Sequence, residues 1–133
     1  MTENIQHIRL INGDEIIGDI INETDSTVIV DSPMIVEERT DKNGSTGIVL
    51  NKFIPFAKEN LCVFLKSHII CSSDLNDVVK RYYYNSLMFS DKMTSRLIKD
   101  LEFVNTLMET QFDDQRLQNS IEKNFVKGTD SIN

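Results

Sequence analysis

The segment "IRLINGDEIIGDIINETDSTVIVDSP", residues 8–33, decides how the rest of the sequence is interpreted. Its apolar residues favour period two and are often β-branched, a pattern typical of strands in a sheet. Asn12-Gly13 is a pair common in hairpin turns, and it predicts a turn here. Gly18 lies inside the next strand, where glycine usually marks a sharp bend or the close approach of another backbone. The segment therefore predicts a bent antiparallel hairpin of the kind that small barrels need.

The faces of the two strands determine the length of the loop between them. A two-residue loop would pair Leu10 with Glu15 and place a carboxylate on the buried face. A three-residue loop over residues 12–14 pairs Leu10 with Ile16 instead, and it leaves Gly13 free to adopt a positive φ. We prefer this register because a slip of one residue would reverse every face. It gathers four apolar side chains on one face: Ile8, Leu10, Ile16 and Ile20.

Three more apolar segments follow, at residues 27–38, 48–57 and 61–73. Each of the first two contains a proline, and Pro33 in the first favours an edge position or a bulge there. The third predicts a tight hairpin around Lys66-Ser67, and this turn would place Cys62 opposite Cys71. Both faces of that hairpin are apolar, so we expect another element or another chain to cover it.

Residues 74–133 carry helical rather than strand periodicity. Three apolar stripes predict three helices, beginning near residues 73, 90 and 113, where serine or aspartate offers a cap. The consecutive tyrosines 82–84 cannot share one helical face, so at least one of them should be exposed or lie in an interface.

Composition excludes several classes of function. The net charge of −7 argues against a protein whose whole surface binds nucleic acid. No apolar run approaches the length of a membrane span and no signal peptide opens the chain, so we expect a cytoplasmic protein without membrane contact. Cys62, Cys71 and His68 are three possible zinc ligands where a structural site needs four, which predicts reduced, metal-free thiols. No catalytic or cofactor motif is present, so we expect neither enzymatic activity nor a cofactor.

The hairpin and its glycines resemble the first motif of the Sm-like family, which includes the Sm, LSm and Hfq proteins. In that motif an Asn-Gly turn is followed by a second glycine, an apolar residue and an acidic residue, here at Gly13, Gly18, Ile20 and Asp25. The resemblance implies a five-stranded, strongly bent antiparallel barrel over residues 1–73. Residues 74–133 would then form a C-terminal helical extension. The layout is also similar to that of phage-encoded Sm-like proteins.

The second family motif is matched less closely by "VFLKSHIIC", in which Lys66-Ser67 replaces Arg-Gly. It also resembles the Lys-His signature of Hfq. The helix that begins the family fold has no counterpart before the first strand, so the helix after residue 74 could cover the barrel instead. The asparagine that contacts RNA in the family falls near Val28. The resemblance further implies ring oligomers, in which the last hairpin pairs with neighbouring subunits.

In Sm-type rings the two motif loops converge at the pore, and this implies a candidate RNA site. Its residues here are Asp25, Ser26, Lys66, Ser67 and His68. A repeated lysine would hold phosphate, whereas a repeated Asp25 would repel it. Two classes of function remain open. One is a ring that binds single-stranded RNA, favoured by Lys66. The other is a structural or interaction ring without RNA, whose helical extension docks a protein partner; the net charge and Val28 favour it.

Overall fold

The computed structural model describes residues 3–129, and beyond residue 111 it describes side chains only at positions 116 and 119. Six strands and a short 3₁₀ turn precede one long helix. In chain order these elements are β1 (Ile5–Leu10), β2 (Glu15–Glu23), β3 (Thr27–Thr40), β4 (Thr46–Lys52), β5 (Leu61–Leu65), the 3₁₀ turn Lys66–His68, β6 (Ile69–Asp74) and α1 (Asp77–Thr129).

The strands form one antiparallel sheet in the order β4-β3-β2-β1-β6, and β5 also pairs with β3. β3 pairs with β2 along one edge, while its other edge is divided between β5 at residues 27–31 and β4 at residues 34–40. A bent antiparallel sheet followed by a helical appendage confirms the predicted fold class. The number of strands was wrong: the sheet has six strands rather than five, and it is not closed.

The β1–β2 hairpin keeps the predicted faces in a different register. Ile8 pairs with Ile16, and the loop consists of residues 11–13, closed by a 2.8 Å hydrogen bond from Leu10 N–H to the Asp14 carbonyl. The predicted register was wrong by two residues because the loop, which still has three residues, begins one residue earlier; the Asn12 side chain accepts from the Asp14 N–H at 3.0 Å and holds this turn. A shift of two leaves each side chain on its face. The four isoleucine and leucine side chains therefore share one apolar cluster, as predicted.

Gly18 lies where another backbone comes close, which is one of the two alternatives that its position in the strand predicted. The register between β2 and β3 jumps here, so that Ser32 and Pro33 lie opposite this single glycine. Ser32 has a φ of 52°, the left-handed conformation often found at a bulge. A Cβ atom on Gly18 would lie 2.3 Å from Cγ1 of Val30 and 3.2 Å from Cα of Pro33. Of the two alternatives for Pro33, the bulge is therefore correct and the edge position is wrong, because β3 is paired on both edges.

Both faces of the sheet are covered with apolar side chains. The cluster on the inner face consists of Ile8, Leu10, Ile16, Val28, Val30 and Phe64. The cluster between the outer face and the start of α1 consists of Ile5, Ile17, Met34, Leu50 and Tyr83. Neighbouring residues of a strand point to opposite faces. On β2, Ile16 therefore packs into the inner cluster and Ile17 into the outer one. The first turns of α1 thus cover the sheet, as predicted.

Two of the three consecutive tyrosines hold α1 against the sheet, each in a different way. Tyr83 is 1% exposed, and its hydroxyl donates to the Ser32 carbonyl at 2.8 Å. Burial raises the pKa of Tyr83, and the carboxylates of Asp31 and Asp19 raise it further. Tyr82 donates to the Ile48 carbonyl at 2.9 Å and is 43% exposed, which confirms the predicted exposed tyrosine.

The prediction of three helices was wrong, because α1 continues without interruption from residue 77 to residue 129. Its cap is Asn76, whose side chain accepts from the Val78 N–H at 2.8 Å, and the predicted caps at residues 73 and 74 belong to β6. Near residue 90 the expected cap Asp91 instead forms a 2.5 Å ion pair with Lys52. The side chain of Asp113 lies outside the described residues.

The chain divides into two compact units, residues 1–94 and residues 95–133. The first contains the whole sheet, the 3₁₀ turn and the beginning of α1, and the second continues the same helix. The predicted boundary between residues 73 and 74, which separates a barrel domain from a helical extension, stays a prediction.

The predicted hairpin at the end of the sheet does not form. β5 pairs with β3 and β6 pairs with β1, so Cys62 lies opposite Val30 while Cys71 lies opposite Arg9. The reason is the 3₁₀ turn at residues 66–68, which sends the two strands to different partners. The two-sided apolar character of the segment has another origin: Phe64 points into the inner cluster, and the alternating residues point outward.

The bulge opposite Gly18 yields a test of the fold. We expect Gly18→Ala to lower the free energy of unfolding by about 1–3 kcal/mol, because the new methyl group would overlap Val30 and press on the backbone at Pro33. Urea unfolding at a fixed protein concentration measures the change. Gly47→Ala is the control, since no atom lies within 4 Å of the Cβ position there. Equal stability of both variants would contradict the close approach.

Candidate functional site

Three turns adjoin one another at one end of the sheet. The Lys66 N–H donates to the Ser26 carbonyl at 2.8 Å, which joins the 3₁₀ turn to the β2–β3 turn. The Ile11 N–H donates to the His68 carbonyl at 2.9 Å, which joins the same 3₁₀ turn to the β1–β2 loop. The structure thus brings together the two loops that carry the predicted site residues. We call residues 23–26 and 66–68 the loop cluster.

The β2–β3 turn is held by its own threonines. The Thr24 N–H donates to the Thr27 carbonyl at 2.9 Å, and the Thr27 N–H donates to the Thr24 hydroxyl at 3.0 Å. Asp25 and Ser26 lie at the tip of this closed turn, and both side chains are exposed. A turn fixed in this way presents its polar groups in a constant position, as a binding surface requires.

Lys66 is paired with an acidic residue that the sequence did not single out. Its Nζ lies 3.5 Å from a carboxylate oxygen of Glu23, and the two side chains are 40% and 54% exposed. Exposed ion pairs contribute about 0–1 kcal/mol, so this contact is easily exchanged for another anion. Glu23 and Lys66 are far apart in the chain. Only the placement of β5 beside β3 brings them together, so the spacing of residues gave no signal.

Two more of the predicted site residues are exposed, whereas a position close to them in the sequence is buried. The side chains of Ser67 and His68 are exposed on the 3₁₀ turn. Val28 is only 4% exposed and belongs to the inner apolar cluster. It lies near the position at which the family that the sequence resembles has an asparagine that contacts RNA. This position therefore offers no polar group to a ligand. Any ligand contact of the loop cluster has to come from the exposed residues of the turns.

The charges of the loop cluster nearly balance. Lys66 contributes one positive charge, while Glu23 and Asp25 contribute two negative charges. Because Glu23 already contacts Lys66, the carboxylate of Asp25 is the exposed charge at the tip of the neighbouring turn. An anionic ligand would thus have to displace Glu23 in order to reach Lys66.

A second surface with an unusual character lies on β5 and β6. Among the strands that the structure describes, β5 pairs only with β3 and β6 pairs only with β1. The outward side chains of β5 are apolar and exposed: Leu61 at 42%, Val63 at 61% and Leu65 at 46%. Ile70 on β6 is also exposed. These are sheet edges flanked by apolar side chains, and such edges pair readily with another chain.

The two cysteines lie on these same strands. Cys62 is half-buried, and burial raises the pKa of its thiol, while Cys71 is exposed. Within the described residues, no group of three or more histidine, cysteine, aspartate or glutamate side chains is arranged to hold a metal ion.

No helix in the described part of the chain combines the length and the apolar character needed to cross a membrane. A family model described as "Sm_like domain" matches residues 7–84, which is more than half of the sequence. The match runs from β1 through the whole sheet into the first turns of α1, and it includes both turns of the loop cluster. No curated protein matches the chain.

The exposure of the ion pair predicts that its two residues can be changed without loss of the fold. We expect Lys66→Ala and Glu23→Gln each to change the free energy of unfolding by less than about 1 kcal/mol. Thermal and urea unfolding monitored by circular dichroism measure this change. A much larger loss in either variant would show that the pair is part of the structural core.

Proposed function

The chain belongs to the Sm-like family, and from this membership we propose that it forms a homo-oligomeric ring that holds single-stranded RNA at the loop cluster of each subunit. The proposal describes a binding protein rather than an enzyme. The observation that carries it is the exposed 3₁₀ turn with Lys66 and His68, fixed against the β2–β3 turn by the hydrogen bond between Lys66 and Ser26.

The sheet edges support assembly into a ring. β5 and β6 each have one unpaired edge within the described chain, and they lie at different places in the sheet. If β5 of one subunit pairs with β6 of the next, a single kind of contact satisfies both edges. It would also cover the exposed side chains of Leu61, Val63 and Ile70. A head-to-tail contact of this type generates a ring when its rotation closes.

The geometry of the loop cluster supports RNA rather than duplex DNA as the ligand. A ring repeats Lys66 and His68 at short intervals, and a flexible single strand can follow such a series of small sites. The exposed imidazole of His68 offers a flat surface on which a base can stack. The chain as a whole is acidic, so binding rests on these local contacts and not on a broadly basic surface.

One observation favours a second function. Glu23 forms an ion pair with Lys66, and Asp25 is exposed on the same turn. The loop cluster therefore carries two acidic side chains, as many as its basic ones, Lys66 and His68. A ring of this kind can serve as a structural platform, with the helical extension docking a protein partner. In that case the Lys66–Glu23 pair simply joins β2 to the end of β5.

Assembly is tested first. We expect Val63→Asp to reduce the assembly to species of one or two chains, because the substitution places a carboxylate on the outward face of β5. Light scattering at micromolar concentration measures the mass.

The control for assembly is Val78→Asp, the same change at a valine of almost equal exposure, 64% against 61%, which lies on α1. This variant should keep the mass of the wild type. A wild-type protein that is monomeric at micromolar concentration would eliminate the ring.

RNA binding is tested with labelled uridine-rich and adenosine-rich oligomers at low and physiological salt. We expect Lys66→Ala to weaken binding at least about tenfold, because each subunit loses a phosphate contact. Glu23→Gln and Asp25→Asn should both strengthen binding, the first by releasing Lys66 and the second by removing repulsion.

Glu38→Gln separates a local effect from the overall charge, since this exposed residue lies at the β3–β4 end of the sheet. It should strengthen binding less than Glu23→Gln does. No binding by the wild type at low salt would leave the structural ring. If the affinity for RNA is the same in Lys66→Ala as in the wild type, RNA binds elsewhere, and the basic residues of α1 are then the candidates: Lys80, Arg81, Lys92 and Arg96.

A further inference from the structure

The second compact unit exposes an apolar stripe along α1. The stripe consists of Leu97, Leu101, Val104 and Met108, whose exposed fractions range from 43% to 61%. These residues are spaced by four, three and four positions, so they lie on one side of the helix. Apolar stripes of this kind normally pack against another helix. Within residues 95–111, the part of this unit whose side chains are all described, every residue is exposed.

The spacing of the stripe is the same when it is read in either direction. Two copies placed side by side and antiparallel therefore set Leu101 opposite Val104 and Leu97 opposite Met108, so that each apolar residue faces another. Such a contact is self-complementary, since both copies use the same surface. We propose that this stripe pairs, antiparallel, with the same stripe of a second copy of this chain.

The direction of the pair follows from the helix dipoles. An antiparallel pair sets the two dipoles in opposite directions, whereas a parallel pair aligns them unfavourably.

The composition of the segment also argues for a second copy rather than for a lipid surface. Helices that lie on membranes carry an excess of lysine and arginine on their polar face. Residues 95–111 carry three acidic and two basic side chains, which anionic lipids would not attract. The antiparallel direction has a further consequence. Neighbours in a ring of many subunits are related by a small rotation, so their helices cannot run in opposite directions, and the second copy belongs to another assembly.

The experiment measures the mass of the full-length protein by light scattering. Val104→Glu places a carboxylate in the middle of the stripe and should halve the mass of the wild-type assembly. Phe103→Glu is the matched control: Phe103 is 65% exposed and lies on a different side of the helix, so this variant should keep the full mass. Equal masses of the wild type and Val104→Glu would overturn the proposal, and a different protein would then be the binding partner of the stripe.

The pairing is independent of the ring and of RNA, and one combination of variants separates them. Val63→Asp, which should break the ring, should still associate as pairs of chains through α1. Val63→Asp/Val104→Glu should be monomeric. If Val63→Asp alone is already monomeric, the helix pairing is wrong and the ring stands; if Val104→Glu alone yields monomers, the ring is wrong and the pairing stands.

Discussion

The close approach of β2 to β3 at Gly18 is the constraint on which the rest of the structure depends. Only a residue without a side chain fits against Val30 and Pro33, and there two residues of β3 lie opposite one residue of β2. The bulge bends β3, and the bend divides its far edge between β4 and β5. Because β5 lies on the first half of β3, the 3₁₀ turn that follows it reaches the β2–β3 turn. The loop cluster and the open edge of β5 are both consequences of this bend.

The same bulge explains how α1 is attached. Ser32 adopts a left-handed backbone conformation, and its carbonyl is not engaged in the regular ladder of the sheet. The buried hydroxyl of Tyr83 satisfies this carbonyl, and a buried carbonyl without a partner would cost about 1–3 kcal/mol. Tyr83 also packs into the apolar cluster of the outer face. The helix after the sheet thus covers the outer face.

The comparison of sequence and structure shows which features local patterns determine. Period-two alternation predicted the buried face of β1 and β2, and a mid-strand glycine predicted either a bend or a close approach at Gly18, where the close approach is found. The predicted register was wrong by two residues. The side chain of Asn12 holds a three-residue loop that begins one residue earlier than predicted, and a shift of two in the pairing leaves every side chain on the same face, so the alternation of apolar residues could not reveal it. The final hairpin and the break in α1 failed for a common reason. Turn and cap residues such as Ser67 and Asp91 are used differently once distant strands supply partners. Glu23 was missed because it meets Lys66 only through the placement of β5.

The balance of charges in the loop cluster limits how this acidic protein can bind an anionic polymer. The net charge of −7 repels RNA, but at physiological ionic strength that repulsion is largely screened beyond about 8 Å. In the proposed complex, the contact between Lys66 and a phosphate acts at short range and competes with Glu23, whose exposed pair with Lys66 contributes about 0–1 kcal/mol. The free energy available from one subunit is therefore small, and useful affinity requires that several subunits act on one strand. In the function that we propose, assembly through β5 and β6 is therefore a condition for RNA binding at the loop cluster.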